Sequence, residues 1–120
     1  MENIIRVGFF RELPYGDSDG PSLANLGHAQ SENLTKRIVE YLGSGVATAV
    51  APGPSFDKLS KEKKIIGSLA ILTDGRYTWP SDLAYYFRMY GVVIPQDFVD
   101  HMQSVNWTVN RSGIVVGSKS

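Results

Sequence analysis

The tightest constraint on this chain is the run Thr73 to Gly91, TDGRYTWPSDLAYYFRMYG, where a hairpin turn, a short strand and a helix follow one another without a linker. Asp74-Gly75 separates the β-prone run Ile65 to Thr73 from Arg76 to Trp79, and both residues tolerate the positive φ angles of a tight hairpin. Pro80 and Ser81-Asp82 then supply helix-start residues. Leu83, Tyr86, Phe87 and Tyr90 recur at i, i+3, i+4 and i+7, and Gly91 closes the helix.

The flanking segments extend this pattern. Ile4 to Phe10 is β-branched and aromatic and reads as a buried strand. Leu13 to Gly27 collects Pro14, Gly16, Asp17, Ser18, Asp19, Gly20 and Pro21, the chemistry of a long loop. A helix follows, with Leu34, Ile38 and Leu42 on one side and Lys36, Arg37 and Glu40 on the other. Ser31 or Asn33 caps its start and Gly43 its end. Val46 to Ala51 reads as a strand that stops at Pro52-Gly53-Pro54. Pro95 opens a last helix in which Phe98, Met102 and Val105 face inward while Asp97, Asp100 and His101 stay wet. Val105, Trp107 and Val109 alternate and turn through Asn110 to Gly113 into Ile114 to Val116, a terminal hairpin. The fold expected is one α+β domain over residues 1–120, a mainly antiparallel or mixed sheet of about five to six strands packed by about three helices.

Composition excludes several functions. The chain has no cysteine, which removes disulfides, thiolate metal sites and a thiol nucleophile together. Glu2 and Arg6 in the first apolar run fit neither a signal peptide nor a membrane span, so a cytoplasmic protein without membrane contact is expected. Twelve basic and twelve acidic side chains cancel, whereas a nucleic-acid binder carries a net basic surface, so no nucleic-acid partner is expected. The run Lys58, Lys61, Lys63 and Lys64 is interrupted by Glu62 and reads as a solvated face.

The motifs of enzymes are equally scarce. Asp17-Ser-Asp19-Gly20 fails as a calcium loop, because aligning Gly20 with the turn glycine puts Tyr15 and Leu26 at ligand positions. Its four letters resemble the aspartate pair of haloacid-dehalogenase-like phosphatases, but Leu13 to Gly16 intervene where that family has the end of an apolar strand. Asp100 and His101 are sequence neighbours and project about 100° apart on a helix, so they cannot form a dyad. His28 has no nucleophile elbow to serve, and no glycine-rich phosphate loop is present. No catalytic residue, metal or cofactor is expected. A polar site at the loop, built from Asp17, Asp19 and His28, remains as the alternative, in a small enzyme or ligand-binding protein.

What stands out is the aromatic concentration Tyr77, Trp79, Tyr85, Tyr86, Phe87 and Tyr90, with Arg76 and Arg88. Tyr, Trp and Arg dominate the energetics of protein interfaces. These rings are either core fillers or a partner-binding patch formed by Arg76, Tyr77, Trp79, Tyr85 and Arg88. The segment Thr73 to Met102 also resembles a pattern of uncharacterised small bacterial proteins, a hairpin ending in D-G followed by W-P-x-D-L-A-Y-Y, with Trp79, Pro80, Leu83, Ala84 and Tyr85 its most recognisable letters. The resemblance implies a non-enzymatic, immunity-like inhibitor whose partner is another protein, such as a bacterial toxin. Immunity proteins that face basic nucleases are commonly acidic, and this chain is neutral. A homodimer through the edge of the C-terminal hairpin is a further expectation.

Overall fold

The computed structural model describes residues 4–23, 27 and 31–109. Its elements are β1 (Ile5–Arg6), α1 (Glu32–Gly43), β2 (Val46–Phe56), β3 (Ile65–Thr73), β4 (Tyr77–Pro80), α2 (Leu83–Tyr90) and α3 (Gln96–Ser104). Among the described residues the strands form one mixed sheet in the order β1-β4-β3-β2, parallel between β1 and β4 and antiparallel elsewhere. This is the α+β architecture expected.

The Asp74 turn forms, and its carboxylate does more than tolerate a turn. Gly75 takes the positive φ of 98°. Asp74 accepts hydrogen bonds from the backbone N–H of Arg76 at 2.9 Å and of Tyr77 at 2.7 Å. Its other oxygen accepts from the Tyr41 hydroxyl on α1 and pairs with His101 Nε2 on α3 at 3.3 Å. Burial and the neighbouring Asp74 carboxylate push the Tyr41 phenol well up. One side chain thus ties the turn to two helices. His101 is therefore half-buried, not wet, and its acidic partner is Asp74 in place of the adjacent Asp100.

The helices cover the face of β4 from which Tyr77 and Trp79 project. Trp79 has no exposed surface and donates its indole N–H to the Leu42 carbonyl at 3.0 Å. Tyr77 stacks on Phe98 with ring centroids 4.3 Å apart, and Tyr41 meets Phe98 edge-on. With Ile38, Leu42, Leu83, Tyr86 and Met102 these rings form the single core. Ser31 caps α1 by accepting from the Leu34 N–H at 3.1 Å, and Gly91 ends α2 in the left-handed region.

Four local expectations are corrected. The strand expected over Ile4 to Phe10 shrinks to Ile5–Arg6, both exposed, because the chain leaves the sheet at Gly8 and carries Val7, Phe9 and Phe10 into the interior instead. β2 does not stop at Pro52 but runs to Phe56. It lies at the sheet edge, where a missing N–H is tolerated, and a register break between Val50 and Pro54 absorbs the irregularity. Gly43 lies within α1, and Ser44 provides the C-cap. Val105 to Trp107 is a turn and not a strand, with Asn106 and Trp107 at φ 58° and 59° and the Trp107 N–H bonded to the Met102 carbonyl. Asn110 to Val116 lies outside the described residues, and with it the hairpin edge of the expected homodimer. No helix among the described residues is long and apolar enough to cross a membrane.

Replacing Asp74 leaves the Tyr41 hydroxyl and two turn N–H groups without their acceptor. Asp74→Ala is expected to lower the unfolding free energy by about 3 kcal/mol in a urea titration. A loss under about 0.5 kcal/mol, the range of ordinary surface changes, would contradict this role.

Candidate functional site

The loop after β1 is long, but it is closed on itself. Arg11 N–H bonds to the Pro21 carbonyl, Asp17 N–H to Phe9, Gly16 N–H to Leu13 and Gly20 N–H to Asp17, all at 2.8 to 3.0 Å. The Glu12 carboxylate accepts from Ser22 Oγ and from the Leu23 N–H across the base of the loop. Gly16 is required by close approach: a Cβ there would lie 1.8 Å from the Phe10 carbonyl oxygen. This winding carries Leu13 into the core and points the Tyr15 hydroxyl at Asp82, the N-cap residue of α2.

Between the loop and the sheet lies an open pocket of about 470 Å³. Leu13, Pro14 and Tyr15 form one wall, Pro54, Ser55 and Phe56 of β2 with Leu69 of β3 the other, and Lys58 and Lys63 stand at the side of the β2–β3 connection. Behind the walls is Asp82, only 2% exposed. Its Oδ2 accepts from the Tyr15 hydroxyl and, at 2.8 Å, from Ser55 Oγ. Its Oδ1 is buried with no hydrogen-bond partner. Burial pushes the Asp82 carboxyl up to about 7, against its own backbone N–H, which favours the anion. A carboxyl balanced near neutrality can be a neutral donor or a charged acceptor, the property that functional acids share.

A second buried carboxylate fixes the far side of the pocket. Asp57 has no exposed surface and accepts from the Tyr85 hydroxyl at 2.6 Å, the Tyr90 hydroxyl at 2.7 Å and the Leu59 N–H at 2.8 Å. Burial works to raise its pKa, but these donors outweigh it and hold the carboxyl below its usual range. The same carboxylate pushes the Tyr90 phenol up to about 12. Tyr86 completes the clamp, donating to the Phe56 carbonyl at 3.1 Å and accepting from the Lys58 N–H at 3.0 Å. α2 thereby holds Phe56 to Lys58, where β2 passes into the β2–β3 connection.

The residues singled out from sequence separate into three groups. Tyr77 and Trp79 are core residues, 4% and 0% exposed, and offer nothing to a partner. Arg76 and Arg88 are exposed, on the hairpin turn and the last turn of α2, while Tyr85 is half-buried with its hydroxyl committed to Asp57. Of the loop residues, Asp17 forms a bidentate pair with Arg6 at 2.8 and 3.0 Å, and this guanidinium holds its carboxyl below the usual range. Asp19 is exposed, and His28 lies outside the described residues. Neither Asp17 nor Asp19 lines the pocket. Among the described residues no three His, Asp or Glu side chains converge to hold a metal ion.

The residues that do build the site, Tyr15, Ser55, Asp57 and Asp82, carry no local signal. Asp82 reads as a helix cap, and it occupies the N-cap position of α2, yet its side chain makes no cap hydrogen bond. An Asp beside Pro80-Ser81 that leaves the N–H groups of its own helix uncapped has been recruited from elsewhere in the fold.

Asp82 leaves a sign in the pH dependence of stability. Its folded pKa lies above the ordinary aspartate value of 3.8, so its stabilising contribution is complete below about pH 4 and is lost as pH rises through 7. The rise from 3.8 to about 7 corresponds to on the order of 4 kcal/mol. Asp82→Asn, which stays neutral, should flatten the decline between pH 4 and 7 in chemical denaturation; an unchanged slope would contradict a buried acid near neutrality. No family model, curated protein or solved structure matches the chain, so its function is to be sought in this geometry.

Proposed function

We propose that the chain is a small-molecule-binding domain whose ligand occupies the pocket between Leu13 to Tyr15 and Pro54 to Phe56. The observation that carries this reading is the coincidence of an apolar recess of about 470 Å³ with a buried carboxyl whose two hydroxyl partners belong to the recess walls. Ligand sites are concave, mostly apolar and fitted with a few polar groups, and this volume lies within their usual range. The polar groups are Tyr15, Ser55 and Asp82, in place of Asp17 and Asp19, which do not line the pocket. A cysteine-free chain suits the reducing cytoplasm, where we place the protein.

One observation favours a second reading, binding of another protein. Among the described residues β2 is an edge strand, and Val50 on it and Ile65 at the start of β3 are 71% and 66% exposed. Edge strands with exposed apolar side chains accept an added strand from a partner. An immunity-like inhibitor would use this edge, with Arg76, Tyr85 and Arg88 as further contacts.

Titration of the isotope-labelled protein with 2-naphthol separates the two readings. The backbone amide resonances of Tyr15, Ser55, Phe56 and Leu69 are expected to shift together and to saturate. Absence of saturable shifts there, or shifts confined to β2 residues 46–50, would overturn the pocket as the functional site.

A further inference from the structure

We propose that the ligand of this pocket is a medium-chain carboxylate, its hydrocarbon against Leu13, Pro14, Pro54, Phe56 and Leu69 and its head group between Lys58 and Lys63. The inference rests on the pocket being the binding site. The charged residues that line it are these two lysines; the two nearby acids lie behind the walls and are taken up by hydroxyl donors, Asp57 by Tyr85 and Tyr90 and Asp82 by Tyr15 and Ser55. Neither has an ion-pair partner among the described residues, although acids are as numerous as bases in the chain. Their backbone is fixed and not free to wander. The Lys58 N–H is held by Tyr86, the Lys63 N–H bonds to the Ser60 carbonyl at 3.1 Å, and Lys63 sits at φ 54°. A non-glycine residue persists in that left-handed region only when its surroundings enforce it.

Hydrocarbon and charge therefore line the same recess. Phe56, which lines the recess, is 45% exposed, a large apolar surface that a bound chain would cover. A purely apolar ligand would leave both ammonium groups without a counter-charge, and a cationic one would be repelled. A lysine ammonium on a flexible stem follows a head group as a point charge and leaves the apolar walls to set the position of the chain.

Decanoate and decanol share a hydrocarbon chain and differ in charge, so their affinities, measured by isothermal titration calorimetry, test the assignment. Decanoate is expected to bind about tenfold more tightly than decanol at low salt. This advantage should vanish in the Lys58→Gln/Lys63→Gln double variant, whose two sites are exposed, and should shrink in high salt. Equal affinities would overturn the carboxylate assignment and leave the pocket reading standing. No binding of either would overturn the carboxylate assignment, and the 2-naphthol titration would then decide whether the pocket reading falls with it. Binding to phosphatidylglycerol vesicles without binding of free decanoate would also overturn it, since the lysines would then serve a lipid surface.

Discussion

The hydrogen bond from a tyrosine hydroxyl to a buried carboxylate is the interaction on which this structure depends. Asp57, Asp74 and Asp82 are each almost without exposed side-chain surface, and each accepts from at least one phenol. An isolated carboxylate in an apolar interior is too costly to keep, so the donors are obligatory. Because the two partners come from different elements, each pair also fastens one part of the chain to another. Asp74 joins α1 and α3 to the β3–β4 turn, Asp57 joins α2 to the β2–β3 connection, and Asp82 joins the Tyr15 loop to β2.

These bonds explain why the tyrosines are so many. Read in sequence, the concentration of rings from Tyr77 to Tyr90 exceeds what a small core would use, and the surplus suggests a partner. In the fold Tyr85, Tyr86 and Tyr90 are consumed by the segment that runs from Phe56 to Leu59, and Tyr77 by stacking on Phe98. The surplus hydroxyls are donors, each spent on an acceptor of that segment.

Legibility followed sequence distance. The Asp74-Gly75 turn, the apolar stripes of α1 and α2, the Ser31 cap and the Gly91 stop could all be read, because each is decided by residues within a few positions. Tyr15 and Asp82 are 67 positions apart, and Asp57 lies 28 before Tyr85, and nothing local marks either pairing. The Val105 to Val109 alternation imitated a strand, but two consecutive left-handed residues bend it into a turn. The prolines of β2 imitated a strand end, and only its place at the sheet edge lets them remain inside it.

The two carboxyls beside the pocket differ through their donors. Asp57 is surrounded by hydroxyl and amide donors and stays charged, whereas Asp82 shares two hydroxyls at one oxygen and has none at the other. The result is a recess lined by two lysines and backed by a carboxyl that titrates near neutrality. The most direct measurement is a 13C NMR titration of the aspartate side-chain carboxyl resonances. Asp82 should titrate with a midpoint near 7 while Asp57 remains ionised to below the ordinary aspartate range. An Asp82 midpoint near 4 would show that its carboxyl is solvated, and would contradict the buried acid on which the site is built.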